Sequence, residues 1–154
     1  MKILNTILIS LLCLQLNACA KNNGQSTKNP ENMKPTDTAK IKITIGSNVF
    51  IASLGNSATA TAFKARLPLN LNMADLNGNE KHVDLPNNLP TGSIKPGTIE
   101  TGDLMLYGAN TVVLFYKTFP SSYSYSPIGR IDNPSELMKS LGDGSVIVKF
   151  ELND

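Results

Sequence analysis

Three of the chain's four tyrosines fall within one stretch, YKTFPSSYSYSPIGRI, residues 116–131, and the fourth, Tyr107, lies just upstream. Tyrosine among serines is a recognition palette: rigid amphipathic rings supply contact area and hydroxyls supply adaptable hydrogen bonds. In an extended chain Tyr123 and Tyr125 point the same way with the serines opposite. With Tyr107, Tyr116 and Phe119 they would floor a cleft for a small ligand or a peptide segment. Arg130 would then fix a carboxylate or carbonyl there. The alternative is structural, since in a chain without tryptophan the same rings also suit an interior, or a loop pinned by phenol hydrogen bonds.

The remaining reactive side chains are sparse. His82 is the only histidine, and without cysteines or paired carboxylates beside it no metal site is expected. It reads as a solvent-facing residue after the NGN turn. A Ser–His–acid set would have to use His82, but no GxSxG-type elbow occurs. Asp75 and Glu80 flank that turn and read as solvated. Asp103 precedes a strand, where a carboxylate bonds the amides of its own turn. No catalytic residue and no cofactor are assigned. From Ala39 onward basic and acidic residues balance and no basic run occurs, which sets nucleic acid aside as a partner.

The elements that carry these residues begin after an address. Residues 1–18, MKILNTILISLLCLQLNA, hold one charge and a short apolar core, the layout of a secretory signal. The ending LNAC resembles the bacterial lipobox, which implies cleavage before Cys19 and lipidation of its thiol and amine. Cys13 leaves with the signal, so the mature chain has one cysteine and no internal disulfide. Acyl chains would hold the protein to a membrane. Residues 19–39 are polar and rich in Asn, Lys, Thr and Pro, a flexible tether. No Asp follows Cys19, which points to the outer membrane in a Gram-negative host. The expected layout is therefore signal 1–18, lipidated tether 19–39 and a domain over 40–154.

Within the domain, Ile41, Ile43 and Ile45 alternate with polar residues, the mark of a half-buried strand. A hairpin leads to a second strand over 49–54. A helix capped by Asn56 or Ser57 is expected to end at Pro68. Strands follow at 67–73 and 80–85 around the NGN turn, then a proline-containing loop over 86–102. DLMLYG, TVVLFYKTF and IGRI are the next strands. NPSELMKSLGDG reads as a helix with Asn133 as cap and Pro134 in its first turn. SVIVKFEL is the last strand. About eight strands, two short helices and short hairpins favour an antiparallel barrel or sandwich.

PTGSIKPGTIETGDLMLYGANTVVLFYKTF, followed by SYSPIGRI and preceded by FKARLPLNLNMADLNGNEK, resembles the bacterial cyclophilin-like domains over about residues 40–152. The resemblance implies a closed, mainly β barrel of about eight antiparallel strands with two helices at its ends. Catalytic cyclophilins use an arginine followed by QGGD and an NGSQFFI-like strand. Neither phrase occurs here, so the resemblance carries over no catalytic residue. The expectation is a lipid-anchored, non-catalytic binding module, with an atypical peptidyl-prolyl isomerase as the alternative.

Overall fold

The alternation of isoleucines and polar residues in KIKITI becomes a strand with two faces. On β1 (Lys40–Ile45) Ile41, Ile43 and Ile45 are buried, while Lys42 and Thr44 stay half-exposed. The computed structural model describes residues 38–153. The expected signal over 1–18, the lipidated Cys19 and nearly all of the tether lie outside the described residues. The elements after β1 are β2 (Asn48–Leu54), α1 (Ala58–Lys64), β3 (Leu69–Leu76), β4 (Glu80–Asp84), β5 (Gly97–Ile99), β6 (Asp103–Tyr107), β7 (Thr111–Phe115), β8 (Phe119–Ser121), β9 (Ser126–Ile131), α2 (Leu137–Leu141) and β10 (Val146–Leu152).

Eight strands close a barrel in the order β1-β10-β3-β4-β7-β6-β9-β2, and every neighbouring pair is antiparallel. The inward side chains form one apolar core that includes Ile43, Ala52, Met73, Leu104, Leu114, Val148 and Phe150. Connectivity puts α1 across one end, between β2 and β3, and α2 across the other, between β9 and β10. Phe63 of α1 is fully buried and meets Phe150 edge to face at 5.6 Å. Ser57 caps α1 by accepting from the Ala60 amide at 3.0 Å. The expected barrel and helices are therefore present.

Local details differ from the expectation. α1 stops at Lys64, ahead of Pro68. Arg66, beyond it, donates to the carbonyls of Asn87 and Asn88 at 2.8 and 2.6 Å, pinning the loop after β4. Asn133 does not cap α2: it accepts from the Ser135 amide in a local turn, and the helix starts at Leu137. Two strands, β5 and β8, fall in segments read as loop or as the tail of a neighbouring strand, and they pair only with each other. Three residues are too few to show a two-residue period, and Pro120 in β8 is tolerated because the ribbon has free edges.

Gly129 explains the IGRI segment. It pairs with Leu54 on one side and Leu104 on the other. A Cβ there would collide with the Ser53 carbonyl oxygen and sit 3.1 Å from Leu54 Cα, so the strand has room only for glycine.

At the α2 end the barrel holds a fully buried charge, Lys81. Its Nζ donates to Asp75 Oδ2 at 2.7 Å, to the Gly142 carbonyl at 2.8 Å and to the Gly144 carbonyl at 2.7 Å. Tyr116 closes the arrangement, its hydroxyl donating to Asp75 Oδ2 at 2.6 Å and its ring lying 5.6 Å from Lys81 Nζ. The Lys81 ammonium, and then the Tyr116 phenol, hold the Asp75 carboxyl below its usual range. Replacing Lys81→Ala leaves two glycine carbonyls without their donor and opens a cavity. The expected loss is about 3 kcal/mol in chemical denaturation, with far-ultraviolet circular dichroism still of barrel type in the folded fraction.

Candidate functional site

Strand register on the outside of the barrel builds the site. Successive side chains of β4 point to opposite faces, so Glu80, His82 and Asp84 face outward while Lys81 faces the interior. Across to β7, Glu80 stands opposite Phe115, His82 opposite Val113 and Asp84 opposite Thr111. Across to β6, Val113 stands opposite Met105 and Thr111 opposite Tyr107. Two rows therefore cross three strands, His82–Val113–Met105 and Asp84–Thr111–Tyr107. The Thr111 hydroxyl donates to Asp84 Oδ1 at 2.6 Å and ties the second row together.

A second apolar layer covers part of this outer face. The β5–β8 ribbon brings Ile99 and Phe119 onto Met105, Val113 and Phe115, and Tyr125 joins them. The rings form a continuous series. Phe119 meets Phe115 at 5.8 Å, Phe115 meets Tyr125 at 5.4 Å, Tyr125 meets Tyr107 at 5.7 Å, and Tyr107 meets Tyr123 at 6.3 Å. The series runs from fully buried Phe115 to Tyr123, which is 62% exposed. Tyr125 is held by paired backbone hydrogen bonds with Ile94, both 2.9 Å. Ser126, fully buried, accepts from the Gly92 amide at 3.0 Å. The long loop after β4 thus fixes where the Tyr-Ser segment lies.

Where this layer ends, over β4, a cleft of about 420 Å³ stays open. Glu80, His82, Asp84, Thr111 and Val113 line it from the barrel, Tyr107, Phe119, Tyr123 and Tyr125 from the aromatic side, and Leu76, Asn77 and Asn79 from the β3–β4 turn. Its volume is in the range of small-molecule sites. Among the described residues no lysine or arginine lines it. Glu80 is only 9% exposed, and its carboxyl has no hydrogen bond or ion pair among the described residues. Burial, and after it the negative charge of Asp75, pushes this carboxyl above its ordinary range. Beside it, Asn79 Oδ1 is buried without a donor.

Of the residues singled out in the sequence, Tyr107, Phe119, Tyr123 and Tyr125 come together in this cleft. Tyr116 does not join them. It is 7% exposed and turned to the barrel end, and burial together with Asp75 pushes its phenol well above the usual range. Arg130 is also elsewhere, three strands around the barrel from β4, where its Nε donates to Asp103 Oδ1 at 2.6 Å. Asp103 is buried and also accepts from the Glu100 amide of its own turn at 2.9 Å. Asp75 and Glu80 are not the solvated pair expected of turn-flanking acids: one clamps Lys81 and the other lies mostly buried in the cleft floor. His82 is half-buried in the cleft floor rather than solvent-facing. A reading of EKHVD as a two-faced strand would have found Glu80, His82 and Asp84 on one side. Among the described residues no group of three or more His, Cys, Asp and Glu side chains is placed to hold a metal.

Residues 43–151 match the model of the cyclophilin-like family. The chain belongs to the cyclophilin-like family. Among solved structures, the cyclophilin-like domain is similar to the solution structure of the hypothetical protein AF2241 from Archaeoglobus fulgidus. That likeness has a TM-score of 0.50 and 21% identity, and covers 75% of this chain and 95% of the other. At that identity it is a likeness of fold. No curated protein matches the chain.

The unpaired Glu80 gives the cyclophilin-like domain a pH signature. Between the unfolded value, near 4.5, and the raised folded value, the folded state holds more protons, so stability falls as pH rises through that window. Glu80→Gln should therefore stabilise the domain at pH 8 by about 1 kcal/mol, or roughly 4 °C in the melting midpoint. The gap to the parent should close at pH 4, as followed by thermal melts at both pH values.

Proposed function

We propose that this protein is a lipid-anchored binding module of the bacterial cell envelope, held in the outer membrane if the host is Gram-negative. Its cyclophilin-like domain takes a small molecule or a peptide segment in the cleft over β4. The observation that carries this reading is the open end of the aromatic series. Tyr107 and Tyr123 stand 46% and 62% exposed beside a cleft of about 420 Å³, whereas a purely structural series would bury its rings. The anchor rests on the LNAC ending of the signal-like segment and the polar tether after Cys19.

The competing reading, an atypical prolyl isomerase, needs a guanidinium at the twisted amide. Arg130 is engaged by Asp103 away from the cleft, and no arginine lines the cleft. His82 makes no hydrogen bond to a hydroxyl among the described residues, so it activates no nucleophile there. The cleft supports recognition better than turnover.

Two measurements check this. A fragment screen by nuclear magnetic resonance on the full chain should find ligands that shift the Tyr123 and Tyr125 signals. Tyr123→Ala should weaken them roughly tenfold, the worth of one well-placed ring, while a peptide prolyl-isomerisation assay stays at the uncatalysed rate. Isomerisation that disappears in Arg130→Ala would replace the binding reading with the enzymatic one. For the anchor, the parent chain should partition into the detergent phase and Cys19→Ser into the aqueous phase. Equal partitioning of the two would remove lipidation.

A further inference from the structure

The cleft is rich in acceptors that have no donors. Glu80 is nine-tenths buried and unpartnered among the described residues, its carboxyl oxygens still reaching solvent, and Asn79 Oδ1, next to it in the chain, is cut off from solvent and unpaired. Asp84 adds a second carboxylate at the exposed end of β4, one of its oxygens held by Thr111. The neighbouring cation cannot answer them. Lys81 points into the barrel, and its three protons already go to Asp75, Gly142 and Gly144. Among the described residues no other lysine and no arginine reaches the lining. A carboxylate that reaches the cleft without a donor from the protein is suited to a positively charged donor from a ligand. Tyr107, in the row of Asp84, meets Tyr123 edge to face at 6.3 Å along the same cleft, and tyrosine faces attract cations.

We infer that the cleft recognises an organic cation carrying N–H donors, an alkylammonium or guanidinium group, seated on Glu80 with its alkyl stem along the tyrosine side of the cleft. This rests on the binding reading of the cleft and names its ligand class. A quaternary ammonium would satisfy the rings but leave the Glu80 carboxylate without a donor, so the N–H donors are part of the inference. The cation can come from a free amine or from a lysine or arginine side chain of a peptide.

The test is calorimetric titration of the full chain in a non-ionic detergent. The probes are n-pentylamine, Nα-acetyl-lysine methylamide and its arginine counterpart, the neutral norleucine counterpart, and tetramethylammonium. At least one N–H cation should bind roughly tenfold or more tighter than the norleucine compound. Glu80→Gln should lower that affinity roughly tenfold, and Asp84→Asn, at the exposed rim, should lower it a few-fold. The ratio of pentylamine to the amino-acid probes tells a free amine from a side chain. The inference fails if no N–H cation binds at about 10 mM, if norleucine binds as well as lysine, if tetramethylammonium binds best, or if both acid variants bind like the parent. A neutral ligand lost in Tyr123→Ala would leave the binding reading standing without this inference. A screen in which no ligand of any charge shifts the cleft tyrosines would remove both.

Discussion

A buried ammonium must have its protons accepted, and Lys81 meets that demand with groups from two separate places: the end of β3 and, with two carbonyls, the turn between α2 and β10. Few side chains constrain a strand so tightly. A slip of β4 by one residue would turn Lys81 to the outside and drive Glu80 and His82 into the apolar core, which the desolvation cost of charge forbids. The clamp therefore sets the register of β4, and the register decides which side chains the cleft receives. An interior interaction thus fixes an exterior surface.

That exterior is built in two steps. The closed barrel satisfies its own backbone and needs nothing on its outer face. The β5–β8 ribbon and the Tyr-Ser segment then lay a thin apolar layer over β6 and β7 and stop short of β4. The cleft is the step at the edge of that layer, with aromatic rings on the side of the layer and carboxylates on the side of the bare strand. Tyr125 belongs to both, packed on Phe115 behind and facing the cleft in front. The backbone bonds from Ile94 therefore stabilise the layer and the binding wall together.

Much of this was legible in the sequence. The isoleucine alternation of β1, the Ser57 cap and the alternation of Val146, Val148 and Phe150 are local signals, and local signals survive into the structure. The tyrosine cluster was legible as a group because composition alone concentrates it. What could not be read were matters of partner choice. Tyr116, just past β7, turns to the barrel end rather than joining Tyr123, and that depends on Asp75 forty-one residues away. Arg130 lay in a promising motif, but its partner Asp103 comes from register with β6. Glu80 carries a turn-flanking charge that normally means solvent, and only the aromatic layer and the β3–β4 turn bury most of it. β5 and β8 are three residues each and show no period until they meet.

The aromatic series has an optical consequence. With no tryptophan and only four tyrosines in the chain, near-ultraviolet absorption and dichroism are dominated by very few chromophores, and three of those four border the cleft. The fourth, Tyr116, is hydrogen-bonded to a carboxylate at the barrel end, an environment that shifts a phenol's spectrum and sets it apart. The native protein thus carries its own spectroscopic reporter, concentrated at the surface where occupancy would be felt, with no need for an added label.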